Sequence, residues 1–164
     1  MLTEGNVHAS LEHLEALIEF AKNEKVPKIN LHLITDGRDS SPQSALKLLK
    51  RLSFSEQIKL ASIAGRYYAM DNNKQWGQTQ QYYQTIVGEG SVIDNIENHI
   101  NGVYQKGLDD EYILPAIISS QENAIKDNDS VIFFNFREDR MRQIVESFAN
   151  PAFEKFPVKK FSNL

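Results

Sequence analysis

Cysteine is absent from the 164 residues, which excludes a disulfide framework and a thiolate zinc site and points to a reducing compartment. No apolar run approaches the roughly 18 to 20 residues of a membrane span, and the N-terminus has no basic region ahead of an apolar core. Positive charge is also short: 18 Lys and Arg face 22 Asp and Glu, for a net charge of -4 and a pI near 5.6. A field of that sign repels nucleic-acid backbones and anionic membranes, so neither is an expected partner, and a cytoplasmic location is the expectation. The eight glycines form neither GxGxxG nor GxxxxGK[ST], and no serine sits in a nucleophile-elbow context. With no cysteine and no clustered His/Asp set, no metal site is expected within this chain. Arginine is the scarcest charged residue, at positions 38, 51, 66, 137, 140 and 142 only.

What is present reads as one α/β domain. Leu11, Leu14, Leu17, Ile18 and Ala21 form the apolar stripe of a helix from Ser10 to Asn23, which Pro27 follows. Lys28 to Thr35 (KINLHLIT) reads as a strand ending in the Asp36-Gly37-Arg38-Asp39 turn. Ser41-Pro42 opens a helix running to about Leu52. Leu60 to Tyr68 reads as a strand bent at Gly65, and Trp76–Val87 and Val92–Lys106 read as helices, the second stopped by Gly107. Ser130 to Phe136 (SVIFFNF) is the clearest strand, and a helix from about Arg140 to Ala149 ends before Pro151. Strands alternating with helices predict a layered α/β domain with a largely parallel or mixed sheet flanked by helices.

In such a sheet ligands bind outside the carboxyl ends of the strands. Arg38, Arg66, Arg137 and Arg140 all fall at predicted strand ends. The guanidinium fork makes paired, charge-assisted bonds to carboxylate or phosphate and stays charged when desolvated. A small phosphorylated acid carries roughly three negative charges at neutral pH, which three or four arginines would balance. The competing reading is local ion pairing, Arg38 with Asp36 or Asp39, and Arg137 and Arg140 with Glu138 and Asp139. Asp39 beside Arg38 is a candidate general base, or an ordinary turn aspartate capping the helix that follows. His8, ahead of the first helix, is placed to donate to a phosphate oxygen.

The strings TEGNVHASLEHL, LITDGRDSSPQSA, IAGRYYAMDNNKQW, YQKGLDDEYILPAII and DSVIFFNFREDRMRQ, in that order, closely resemble the 2,3-bisphosphoglycerate-independent (cofactor-independent) phosphoglycerate mutases, over about residues 1–150. That resemblance implies an isomerase of about three times this length that interconverts 3-phosphoglycerate and 2-phosphoglycerate through a phosphoserine intermediate in glycolysis and gluconeogenesis. It further implies that this chain is the inserted substrate-binding (phosphotransferase) domain. The nucleophilic serine and two manganese ions belong to a separate, alkaline-phosphatase-like domain, toward which residues 151–164 would return. Carried over residue by residue, it assigns substrate contacts to His8, Arg38, Asp39, Arg66, Arg137 and Arg140, with Asp39 as proton acceptor and donor. The chain is then expected to be a monomeric piece of a longer polypeptide, inactive alone, with the metal-bearing domain as its partner. The alternative is a stand-alone phospho-ligand-binding module without catalysis.

Three departures from the family pattern stand out. Gly5-Asn6 replaces the usual glycine pair, Ser10 replaces a second histidine, and Asn72 stands where the family has a substrate-binding arginine. Lys74 is the candidate to restore the missing cation.

Overall fold

The computed structural model describes residues 1–164. Its helices are α1 (Leu11–Asn23), α2 (Ala45–Leu49), α3 (Arg66–Ala69), α4 (Trp76–Ile86), α5 (Ile96–Tyr104) and α6 (Arg142–Ala149). Its strands are β1 (Ile29–Thr35), β2 (Ile58–Gly65), β3 (Val92–Ile93) and β4 (Ala116–Ile118), with 3₁₀ turns at Asp110–Tyr112 and Gln121–Asn123. The sheet order is β1-β2-β4-β3. β1 runs parallel to β2 and β3 parallel to β4, whereas β2 and β4 are antiparallel, so the sheet is mixed.

Side-chain alternation divides the core into two layers. Leu31, Leu33 and Ile63 face α1, α2 and α5, joining Leu11, Leu14, Leu48, Ile100 and Val103. Ile34 and Ala64 face the other way, onto Tyr82, Tyr83 and Ile86 of α4 and Ile144 of α6. Ile58 lies on the same face as Ile63 although five residues separate them, which a strict period of two forbids. The register resolves this: Leu31 pairs with Leu60 and His32 with Ser62, so Ala61 is an extra residue that resets the parity of β2. Fully burying a side chain such as Ile63 contributes about 1.5–3 kcal/mol, so this parity is strongly enforced.

Several element boundaries differ from the sequence expectation. The Ser41–Leu52 helix contracts to α2, flanked by turns. The Leu60–Tyr68 strand starts earlier and converts at Gly65 into the short helix α3. The Val92–Lys106 helix splits, because the Asn95 side chain accepts from Asn98 N at 2.8 Å and starts α5 there, leaving Val92–Ile93 to pair with β4. Gly107, at φ 74°, does end that helix region. β4 was not anticipated: three residues after Pro115 are too few to establish a period.

Ser130 to Phe136 is not a strand. The alternation is only partial: Val131 and Phe133 border a surface concavity with Phe148 of α6, and Ile132 and Phe134 border one with Leu17 and Phe20 of α1, but Ile132 is 72% exposed and Phe134 also packs onto the α4–α6 layer. The ladder is missing: no main-chain N–H or C=O from 130 to 136 bonds elsewhere in the chain. The stretch beside it is Met1–Thr3, where Leu2 bridges Thr35 and the Met1 amino group donates to Asn135 Oδ1 at 2.8 Å. A strand is defined by its partner, and no repeating partner runs along this segment. Beyond Pro151, Phe153 and Phe156 pack into the α4–α6 layer, and the Lys159 amide donates to Tyr83 Oη at 2.8 Å.

Candidate functional site

The carboxyl ends of β1 and β2 lie side by side, Thr35 paired with Gly65, so the residues that follow each strand meet. After β1 comes the Asp36–Asp39 turn, made possible by Gly37 at φ 74°. Asp36 Oδ1 accepts the amides of Arg38 at 3.2 Å and Asp39 at 3.1 Å, an Asx turn that fixes the loop. After β2 comes Arg66, the first residue of α3, only 3% exposed. Its Nη1 donates to Asp36 Oδ1 and Asp39 Oδ2, both at 2.6 Å. Gly65 lets the Glu111 main chain pack against the end of β2, because a Cβ there would sit 2.1 Å from the Glu111 carbonyl oxygen.

His8 is the second buried member. Its ring lies between two carboxylates, Nε2 3.9 Å from Asp39 Oδ2 and Nδ1 3.6 Å from Asp139 Oδ1. Both separations are too long for a direct hydrogen bond, and Nδ1 is buried with no partner in the chain. Burial, and then the nearby Arg66 guanidinium, hold the imidazole below its ordinary pKa, so it is neutral at neutral pH. Arg66 Nε is likewise buried and unpartnered. Burial works against the Arg66 charge, but its bonds to Asp39 and Asp36 outweigh this and keep the guanidinium firmly protonated.

Around this interior sit the more exposed cations. Arg137 donates to Asp139 Oδ2 at 3.0 Å, and its main-chain amide reaches His8 O at 3.3 Å. Arg140 donates from its amide to Asp139 Oδ1 at 3.0 Å and from Nη1 to Met70 O, the residue that closes α3, at 3.3 Å. The Arg38 side chain is 60% exposed and meets Glu111 at 3.4 Å. Burial raises the Asp139 carboxyl, and Arg137 and the Arg140 amide together pull it below the usual carboxylate range.

Of the residues singled out from sequence, His8, Asp39, Arg66, Arg137 and Arg140 thus form one connected set, with Arg38 on its rim. Asn72 and Lys74 are exposed, and neither side chain bonds to the set or to any other group in the chain. Lys74 is at φ 61°, its amide held by Gln143 Oε1 at 2.9 Å. The ion pairs differ from those weighed above: Asp36 meets Arg66 rather than the Arg38 side chain, and Glu138 meets Arg142 at 2.6 Å. Asp36, Thr3 and Ser40 were not recognised as parts of this site. The only signal for Asp36 was its position at the end of a buried strand, while Thr3 and Ser40 gave none.

Each Asp39 oxygen has a different environment. Oδ2 is bonded to Arg66, whereas Oδ1 has no hydrogen-bond partner in the chain. A carboxylate held at one oxygen and open at the other can accept a proton from a neighbouring hydroxyl. The set brings together three peripheral arginines, two buried side-chain nitrogens without partners and one carboxylate oxygen without a partner.

A family model described as the BPG-independent PGAM N-terminus (iPGM_N) matches residues 1–164. The chain is 40% identical over 171 residues to the 2,3-bisphosphoglycerate-independent phosphoglycerate mutase of Clostridioides difficile, covering 99% of this chain and 34% of that protein. It is 40% identical to the protein of the same name from Pyropia yezoensis, covering 100% of this chain and 32% of that one. Among solved structures, phosphoglycerate mutase of Leishmania mexicana, described at low cobalt concentration, superposes with a TM-score of 0.81 over 94% of this chain and 31% of that one. At 23% identity that likeness speaks for the fold alone. The chain spans about a third of the length of these curated relatives. It belongs to the family of N-terminal domains of BPG-independent phosphoglycerate mutases.

Proposed function

We propose that this chain is the substrate-binding domain of a cofactor-independent phosphoglycerate mutase, binding 3-phosphoglycerate and 2-phosphoglycerate within a longer polypeptide. The observation that carries this reading is the pair of buried side chains, Arg66 and His8, that flank the half-buried Asp39 and leave His8 Nδ1 and Arg66 Nε unpartnered. Burying polar atoms without partners costs about 1–3 kcal/mol each, which a bound anion would offset.

In this proposal Arg38 and Arg137 leave their modest ion pairs, and Arg140 its bond to the Met70 carbonyl, to clamp the carboxylate and phosphate, and Arg66 supports them from below. Asp39 takes the proton from the glycerate hydroxyl that receives the phosphoryl group and returns it to the oxygen that releases one. The neutral His8 ring donates to or accepts from the same ligand without adding charge. The serine that carries the phosphoryl group, and the two manganese ions that would activate it, belong to the other domain, with residues 151–164 leading toward it. On this reading the isolated domain is a cytoplasmic-type monomer without mutase activity, and closure against the other domain excludes water from the transfer. Asn72 leaves the clamp one cation short, and the exposed Lys74 side chain is the nearest replacement in sequence.

Titration of 3-phosphoglycerate into the ¹⁵N-labelled chain tests the proposal. Shifts confined to the surroundings of residues 8, 36–40, 66 and 137–140 are expected. No shift at millimolar ligand, or shifts centred elsewhere, would reject it.

A further inference from the structure

Asp36 is the residue in this molecule whose chemistry is least explained by ligand contact. Its side chain is fully buried, yet it receives five hydrogen bonds. Oδ1 accepts from Arg66 Nη1 at 2.6 Å and from the amides of Arg38 and Asp39. Oδ2 accepts from Thr3 Oγ1 at 2.5 Å and Ser40 Oγ at 2.8 Å. Burial alone would raise its pKa, but the bonds from Thr3, the Asp39 amide, Ser40 and Arg66 more than reverse this, so it is ionised at neutral pH.

With both oxygens occupied, Asp36 has no free face for a substrate. What it does have is a direct bond to each of three neighbours that the proposed site depends on. It holds the Arg38 and Asp39 amides, which aim those two side chains, and it holds the Arg66 guanidinium, which in turn grips Asp39. Thr3 and Ser40 lock the carboxylate from behind, and Thr3 Oγ1 also accepts the Gly5 amide at 2.9 Å, tying in the loop that leads to His8.

We infer that Asp36 is a positioning residue for the anion site, fixing Arg66 and the Arg38–Asp39 turn in one arrangement, with Thr3 and Ser40 as its supports. This rests on the functional reading above, in that the anion is taken to be a phosphoglycerate. A rival account is that Asp36 merely stabilises the fold. Asp110 provides the internal control for it. Asp110 is also fully buried, accepting the Ser44 and Ala45 amides at 2.8 Å and the Tyr104 hydroxyl, and it braces the start of α2 without touching any arginine.

The test compares Asp36→Asn with Asp110→Asn in two measurements on the full chain. The first is the 3-phosphoglycerate titration under conditions where both variants are folded by their amide spectra. Asp36→Asn should weaken binding tenfold or more and Asp110→Asn less than twofold, though both lower the urea midpoint. Equal affinity of Asp36→Asn and the parent chain overturns the inference. The second needs no ligand: the Arg66 guanidinium protons should exchange slowly and resolve separately in the parent chain and in Asp110→Asn, and lose that protection in Asp36→Asn. If the parent chain fails to bind 3-phosphoglycerate, the functional reading falls, and the guanidinium measurement still decides whether Asp36 positions Arg66. Retained protection in Asp36→Asn refutes it. Should Asp36→Asn not fold, Ser40→Ala removes one of the two Oδ2 bonds and leaves the Thr3–Gly5 bond in place, and a loss of affinity of twofold or more is expected, with no loss counting against the inference.

Discussion

At the scale of single residues, the departure at Asn6 has a backbone explanation. Asn6 is exposed and sits at φ 50°, the left-handed region that glycine enters freely and asparagine tolerates best among the rest. Gly5 beside it is held by space instead: a Cβ there would lie 2.2 Å from the Asp39 carbonyl oxygen. The two positions of the pair thus need small or permissive residues for different reasons. Asn6→Gly should be nearly neutral, whereas Asn6→Val should destabilise by about 1–2 kcal/mol, read as a drop in urea midpoint at unchanged slope. The arginines at strand ends were legible in sequence because charge at the end of an apolar run is conspicuous. Asp36 was not, since a turn aspartate followed by glycine looks the same whether it caps a loop or grips a buried guanidinium. Glu111, the partner of Arg38, lies 73 residues away and had no local signal.

At the scale of elements, α1, β1, α4 and α6 followed from periodicity, since each presents an apolar stripe of the right spacing over seven or more residues. Failure came where the apolar run was present but the partner was not given by it. Val131, Phe133 and Phe134 all reach the α4–α6 layer, Ile132 is left exposed, and no ladder forms. Side-chain alternation reports which faces are covered and says nothing about main-chain pairing. Hydrogen exchange tests this: amides of residues 131–135, which are unpaired and only partly buried, should exchange orders of magnitude faster than those of Leu31–Ile34 and Ala61–Ala64. Slow exchange throughout 131–135 would contradict the unpaired arrangement. Likewise, β3 was hidden because two residues cannot show a period and the helix-like spacing downstream extended over them.

At the scale of the whole molecule, the buried titratable groups set the acid limit of stability. Burial pulls His32, bonded to Ser62, down to about 4, and His8 is also held below its ordinary value. Both bind protons more readily when unfolded, so their contribution is complete above about pH 6.5 and declines as the pH falls toward the folded values; the buried Met1 amino group, lowered from 8.0 to about 4, begins the same kind of loss below about pH 8. Asp36, with its depressed value, adds a second loss below about pH 4. The histidine share of the fall in urea midpoint from pH 7.5 to 4 should be the equivalent of about 2–3 kcal/mol. His32→Gln should flatten much of that slope, and an unchanged slope would reassign it. The candidate site itself draws on residue 3, residue 8, the 36–40 turn, Arg66 and residues 137–140, that is, on nearly the full length of the sequence. No fragment smaller than the folded domain can assemble it. Any ligand that binds there is therefore linked to global unfolding rather than to a local loop, and at one hundred times its dissociation constant it would raise the stability of the entire domain by about 2.7 kcal/mol.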